Sequence, residues 1–460
     1  MEKKYAFVLG NNAALSIAEV MSVLKKKRIK FELSDHSKEI LLISSDKLDD
    51  DFLDGLGGTI KIVKIFSELN SPSIDGITEA MFDKLSNEAY TDGKRKYHFG
   101  ISIYDLNGSN RKIRLFSWSV RKMYLSLKKE GKKQQINLAY PNIKERSLSS
   151  ASVIKNKLLG DDGAEFSLIV TKDGVLVGKT IAVQDIDYFS QIDFGRPVRD
   201  TVSGTTPPKL AMIMINLAEA SEDAVLLDPF CGSGTFLQQA LLGGYKQVYG
   251  SDISEKAMAD TEQNLDWLKN KFPGLDIGVE TKHVILATLR RPESKSLVVG
   301  NDSGQARMTQ EERASSISSN IKLFISDVAE ISKKIDRKAD AIVTETYLGP
   351  PLKKEPSETE LKKTIDLLIS IYGSAFREFN KILNKNGRIV LAIPVFRIRN
   401  RNVYILLENI LERNGFKIID LSEGIEGLSK EQKSPRNTFI YSRPDQLVRR
   451  EIVVLEYIKK

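Results

Sequence analysis

The segment Asp228-Pro-Phe-Cys-Gly-Ser-Gly-Thr-Phe236 limits what this chain can fold into more than any other. A short apolar run, Val225–Leu227, leads into it, and a helical pattern over Thr235–Leu242 leads out. The alternation then repeats. A strand over Gln247–Ser251 ends at Asp252 and is followed by a helix over Glu255–Leu268. Strands follow at Ile321–Ile325 and Ala341–Thr344, then a long helix at Glu358–Leu383 and a strand at Arg388–Pro394. The pattern closes with a helix at Asn402–Asn414 and a strand at Phe416–Leu421, and a helix at Lys209–Ala220 opens it. Strands that alternate with helices predict a parallel, doubly wound α/β sheet. Segment 269–320 interrupts this order with prolines, serines and weak periodicity, and reads as an insertion at the rim of the sheet.

In such a sheet, ligands bind beyond the carboxyl ends of the strands. Asp228 stands at that end of the first strand, and Gly232 and Gly234 let the backbone approach a ligand closely where a helix begins. Asp252 ends the next strand at about the 20-residue distance of a ribose-binding carboxylate. A dinucleotide fits poorly, because Leu237 stands where the third glycine of G-x-G-x-x-G belongs and Asp228 would face a pyrophosphate with like charge. A cofactor carrying an ammonium and a sulfonium suits Asp228 better, which points to S-adenosylmethionine.

The first 185 or so residues show a different pattern. Strands are predicted near Tyr5–Leu9, Glu39–Ser44, Leu56–Phe66 and Phe99–Tyr104, with helices at Leu15–Leu24 and Ser117–Glu130. Phe166–Thr171 and Val175–Ile181 form a hairpin signal through Asp173-Gly174, a pair that tolerates the φ > 0 of tight turns. This is an α+β region. The net charge of +8 alone decides little, but basic residues cluster at Lys25–Arg28, Arg111–Arg114, Arg121-Lys122 and Lys128–Lys133. Clustered positive charge of this kind suits a polyanion. The single cysteine, Cys231, allows no intrachain disulfide, and His36, His98 and His283 lie far apart, so no metal site is expected. No apolar run is long enough to cross a bilayer and the N-terminus does not read as a signal peptide, so the expectation is a cytoplasmic protein without a membrane segment.

The loop Asp228–Phe236 resembles the first motif of amino-group methyltransferases acting on nucleic acid. The stretch Arg196-Pro-Val-Arg-Asp200…Pro207–Leu217 looks like the motif that packs beside the methionine end of their cofactor. Leu9-Gly10…Leu15–Glu19, Leu56–Thr59 and Phe99–Ser102 are similar, in order, to the THUMP-containing tRNA guanine-N2 methyltransferases of the position-10 type. The resemblance implies a ferredoxin-like subdomain at 1–55, a THUMP-like RNA-binding domain at 56–185, a linker at 186–208 and a Rossmann-like class I methyltransferase domain at 209–460. It also implies that Asp228 and the turn Gly232-Ser233-Gly234 hold the methionine portion of S-adenosylmethionine, that Phe230 belongs to the cofactor site, that Asp252 and Ile253 hold ribose and adenine, and that Asp327 meets the adenine amine. tRNA is the implied partner, and a small activating protein subunit stays open.

Family members carry Asp-Pro-Pro-Tyr or a relative of it at the end of the fourth strand. Here the chain reads Thr344-Glu-Thr-Tyr347-Leu-Gly-Pro-Pro351. The carboxylate is Glu345, the aromatic residue is Tyr347, and Thr346 stands where the rigid proline precedes the ring. Glu345 and Tyr347 are the catalytic candidates, with Thr344 as an alternative acceptor for the target amine. The departure keeps two other readings open: a DNA adenine-N6 methyltransferase, and an RNA-binding protein on an inactive methyltransferase fold. Methylation at C5 of a pyrimidine is disfavoured, because the one thiol lies inside the cofactor loop.

Overall fold

The computed structural model describes residues 3–49, 51–89, 94–141, 145–199, 205–281, 317–425, 432–443 and 446–458. The chain divides into two compact units, Met1–Ser190 and Gln191–Lys460.

The first unit runs β1 (Lys3–Leu9), α1 (Ala13–Lys26), β2 (Phe31–His36), β3 (Ile40–Ser45), β4 (Thr59–Asn70), α2 (Ile74–Ser86), β5 (Lys96–Asp105), α3 (Asn110–Lys133), β6 (Asn137–Ala139), α4 (Ser150–Lys155), β7 (Gly163–Val170) and β8 (Gly174–Val183). Serine side chains at 73, 109 and 149 accept the backbone N–H three residues on and start α2, α3 and α4. Among the described residues the strands form one sheet in the order β2-β3-β1-β4-β8-β7-β5-β6. β4 pairs with β1 on one side and β8 on the other, so the sheet crosses residue 55 without a break where two subdomains are expected. Helices α2 and α3 cover β5, β7 and β8 with Met81, Leu85, Met123 and Leu127, over Phe99, Phe166 and Val177. A buried ion pair, Lys61 Nζ to Glu165 Oε1 at 2.5 Å, is completed by Ser102, Thr180 and the Leu148 carbonyl, which gives each charged group partners in the dry interior.

The β7–β8 hairpin forms as expected, but for another reason. Neither Asp173 nor Gly174 has positive φ. The turn is closed by Thr171, whose N–H bonds the Gly174 carbonyl and whose hydroxyl accepts the Gly174 N–H. Glycine is needed there because a Cβ would stand 2.0 Å from the Leu69 carbonyl of β4.

Helix α5 (Ile186–Phe194) occupies much of the stretch read as a linker. The second unit continues with α6 (Pro208–Leu217), β9 (Val225–Asp228), α7 (Thr235–Leu242), β10 (Gln247–Asp252), α8 (Glu255–Lys271), β11 (Leu275–Thr281), β12 (Ile317–Ile325), β13 (Ala339–Glu345), α9 (Glu358–Ile382), β14 (Leu383–Ile398), β15 (Arg401–Tyr404), α10 (Glu408–Arg413), β16 (Phe416–Ile418), β17 (Phe439–Tyr441) and β18 (Val448–Tyr457). Most of the expected elements form. Residues 402–414 do not make one helix: they hold β15, a loop and the short α10. The expected insertion is also smaller than read from sequence. α8 reaches Lys271, and β11 pairs in parallel with β12 at the sheet edge, while 282–316 lie outside the described residues.

The main sheet order is β11-β12-β10-β9-β13-β14-β18-β16. From β11 to β14 neighbouring strands are parallel; β18 runs antiparallel between β14 and β16. This is the Rossmann-like arrangement, with its strand reversal at the β9–β10 and β9–β13 switch point. On one face α9 lays Leu368, Tyr372, Phe376 and Phe379 over Leu227, Ile342, Leu391 and Val453. Its start is fixed by a capping box between Ser357 and Glu360. The carboxyl ends of β9, β10 and β13 therefore share one edge.

Candidate active site

The turn after β9 is built on two left-handed glycines, Gly232 at φ 53° and Gly234 at φ 82°. Any side chain would strain that backbone. A Cβ on Gly232 would meet nothing within 4 Å, so its outer side is open for a ligand. Helix α8 grips the loop from behind. Thr261 Oγ1 donates to the Gly232 carbonyl at 2.7 Å, and Asn264 Nδ2 donates to the Ser233 carbonyl at 2.9 Å. Asn264 also exchanges bonds with the N–H and carbonyl of Val198, so it ties the 196–199 segment to the loop. Asp200 of that motif lies outside the described residues.

Asp252, at the end of β10, accepts the Gly232 N–H at 3.0 Å and the Ser254 N–H at 2.9 Å. Burial raises its pKa, and those backbone bonds work against the rise. A carboxylate retains acceptor capacity beyond two bonds. Ile253 beside it is 68% exposed, an apolar surface at the loop mouth. Asp327 caps the short 3-10 helix at Val328–Lys333 by accepting the Ala329 N–H at 2.9 Å. Phe230 is packed partly against the core under α9.

Asp228 departs from its simplest reading. It is wholly buried, and burial pushes its carboxyl up to about 8. Its Oδ1 accepts the Thr344 hydroxyl at 2.5 Å and the Phe230 N–H at 3.2 Å. Its Oδ2 is buried without a hydrogen-bond partner among the described residues. In the free protein near neutral pH the group therefore holds its proton rather than presenting a ready negative charge. Thr344, proposed as an acceptor, is itself buried and engaged with Asp228.

The Thr344–Asp228 bond joins the glycine loop to the end of β13. Glu345 follows there, and its carboxylate is bound by Arg450 of β18: Nε contacts Oε1, and Nη2 lies 3.3 Å from Oε2. Thr206 donates to the same Oε2 at 3.0 Å. Burial acts to lower the Arg450 pKa, but Glu345 more than offsets it and the guanidinium stays above its usual value. Thr346 bonds the Ala392 carbonyl and the Tyr372 hydroxyl, and that hydroxyl donates to the Tyr347 carbonyl at 2.7 Å. The Tyr347 ring is 42% exposed. The backbone that a proline would stiffen is thus held by hydrogen bonds.

Sequence reasoning missed Arg450, Thr206, Asn264, Thr261 and Tyr372. Arg450 had one legible signal, since it stands two residues before the apolar run Ile452–Leu455 that forms the centre of β18. The other four carry no signal in a single sequence. Among the described residues no group of three His, Cys, Asp or Glu side chains is placed to hold a metal, and no helix is long and apolar enough to cross a membrane.

Residues 196–397 match the family model described as the RMKL-like methyltransferase domain. The tRNA (guanine(10)-N2)-dimethyltransferase of Methanocaldococcus jannaschii is 35% identical over 101 residues, which is 22% of this chain and 28% of that protein. A probable enzyme of the same name from Methanothermococcus thermolithotrophicus is 46% identical over 57 residues, 12% of this chain and 35% of that protein. The chain therefore spans about a third or less of the length of these relatives. The crystal structure of TrmN from Thermus thermophilus aligns over 99% of both chains with 13% identity and a TM-score of 0.48. The matched segment, the parallel sheet with its reversed strand and the glycine loop at its switch point all lie in the second unit, which has a Rossmann-like fold and is similar over residues 196–397 to the RMKL-like methyltransferase domain.

Proposed function

We propose that this chain transfers a methyl group from S-adenosylmethionine to the exocyclic N2 amine of a guanine in tRNA, in the cytoplasm. One observation carries the reading: the Thr344–Asp228 hydrogen bond, which sets the end of β13 beside the glycine loop. The cofactor's residues fit that place. Asp228 Oδ2 is buried without a hydrogen-bond partner among the described residues, Gly232 is open on its outer side, and Asp252 retains acceptor capacity for ribose hydroxyls. Bound there, S-adenosylmethionine supplies an electrophilic methyl group on a cationic sulfur.

The chain's own residues then provide orientation. Glu345, held by Arg450 and Thr206, accepts an N–H of the target amine and turns its lone pair toward the methyl carbon. Tyr347 offers an exposed ring for stacking on an extruded base, worth about 1–3 kcal/mol. With the amine so held, its lone pair would face the cofactor's methyl carbon, and the surplus proton of the methylated amine would pass to solvent. Substrate class is supported by the names of the two relatives and by α3, which exposes Arg114, Arg121, Lys122, Lys128 and Lys129 along its length together with a 79% exposed Trp118.

Calorimetry and binding competition test this reading. Asp228→Ala and Asp252→Ala should each weaken S-adenosylmethionine binding at least tenfold, and a tRNA transcript should displace duplex DNA from the protein. Unchanged cofactor affinity in both variants would overturn the cofactor site, and preference for duplex DNA would overturn the substrate.

A further inference from the structure

β14 continues where its parallel neighbour stops. Glu345, the last residue of β13, pairs with Ala392, whereas β14 runs on to Ile398 before the chain returns as β15. At about 3.3 Å per residue the turn stands roughly 20 Å beyond Glu345, past the carboxyl edge where Asp228, Asp252 and Glu345 end their strands. The extension reads Arg397-Ile-Arg-Asn-Arg-Asn402, with three cations and no acid.

The tip is an ordered device. Arg399 and Asn400 have φ of 47° and 61°, the left-handed pair that a two-residue hairpin requires. Asparagine adopts that conformation readily; arginine does so under strain. The strained residue's side chain is 81% exposed, and its Nη1 lies 4.0 Å from Glu358 Oε1 in a pair open to solvent, which contributes little and leaves the guanidinium accessible. Its backbone N–H is held by both carboxylate oxygens of Glu355, at 3.2 and 3.3 Å, on the segment that follows Tyr347. Arg397 Nη2 donates to Asn400 Oδ1 at 3.0 Å. Register places Arg397 opposite Asn402, and places Val395 opposite both Tyr404 and Arg449. Arg397, Asn402 and Arg449 therefore share one face across three strands, and Arg449 Nη1 donates to Asn402 Oδ1 at 3.3 Å. Arg401, paired with Ile398, is exposed on the opposite face.

We propose that the 397–402 hairpin grips the RNA backbone beside the target nucleotide, with Arg399 and Arg401 contacting phosphates at the tip and Arg397 and Arg449 supporting the flank. The inference rests on the reading of the second unit as an RNA methyltransferase, and it adds a nucleic-acid contact on the catalytic unit itself. The bonds from Glu355 couple that contact to the segment carrying Tyr347. A backbone contact of this kind is independent of sequence and depends on salt.

Fluorescence anisotropy of a labelled tRNA transcript, measured across salt concentrations, tests it. The double variant Arg399→Gln, Arg401→Gln removes two exposed charges. It should bind about tenfold more weakly near 0.1 M salt and lose roughly 1.5–2 from the slope of log K against log salt. S-Adenosylmethionine affinity should stay unchanged. A matched control, Lys246→Gln with Lys385→Gln at the amino edge of the sheet, should shift affinity by less than threefold. Equal losses in both double variants, or an unaltered affinity and slope in the arginine variant, overturn the hairpin alone. A wild-type protein that fails to bind the transcript overturns the hairpin and the tRNA reading together.

Discussion

Asp228 ends β9 wholly buried, and burial pushes its carboxyl up to about 8. The Thr344 hydroxyl and the Phe230 N–H work against that rise without cancelling it. A carboxyl whose folded value, about 8, exceeds its unfolded value of about 4 favours the folded state fully at low pH. That stabilisation is lost as pH rises toward 8. Wild-type protein should therefore lose thermal stability between pH 5 and 8.5 relative to Asp228→Asn, and parallel stability curves for the two would contradict the assignment. A cationic cofactor reverses the preference, so S-adenosylmethionine affinity should increase with pH up to about 8 and then level off in the wild type alone. The place of Glu345 at a strand end is legible in the sequence, whereas its pairing with Arg450, 105 residues away, is not. Arg450→Met leaves Glu345 half-buried without its cation. It should cost roughly 3–5 kcal/mol in denaturant unfolding and cut the methylation rate at least tenfold, with Arg450→Lys partly restoring both. A stable, fully active Arg450→Met protein would remove Glu345 from the mechanism.

At the scale of elements, strands and helices that follow local rules were readable. The β9–α7 turn, the Ser-capped α8 and the capping box of α9 all write their signals within a few residues. Elements defined by distant partners were not. Residues 402–414 read as a helix because the return at Arg399-Asn400 uses no glycine and gives no usual turn signal. β18 was overlooked although it is the reversed strand that seats Arg450. The hold of α8 on the glycine loop through Asn264 and Thr261 also appears only in three dimensions. Asn264→Ala breaks three bonds around Val198 and Ser233, and should cost about 1–3 kcal/mol. Titration calorimetry should show the cofactor dissociation constant up about tenfold, and an unchanged constant would make α8 a bystander.

At the scale of the molecule, the sequence separated an α+β region from a doubly wound one, and the two units bear that pattern. It did not reveal that β4 joins the expected subdomains into one sheet, since pairing on both edges of a strand leaves no local trace. The basic clusters of the first unit and the arginine hairpin of the second both suit a phosphate backbone. Affinity for tRNA should therefore fall at least tenfold between about 50 and 200 mM salt, and a salt-independent affinity would contradict an electrostatic grip. The central claim, methyl transfer to guanine N2, is tested most directly by nucleoside mass spectrometry. An unmodified tRNA transcript is incubated with the full-length protein and S-adenosylmethionine, then digested. The wild-type reaction should yield N2-methylated guanosine, and Glu345→Gln should abolish it. A digest without N2-methylated guanosine, or with the methyl group on adenine N6, would contradict that claim.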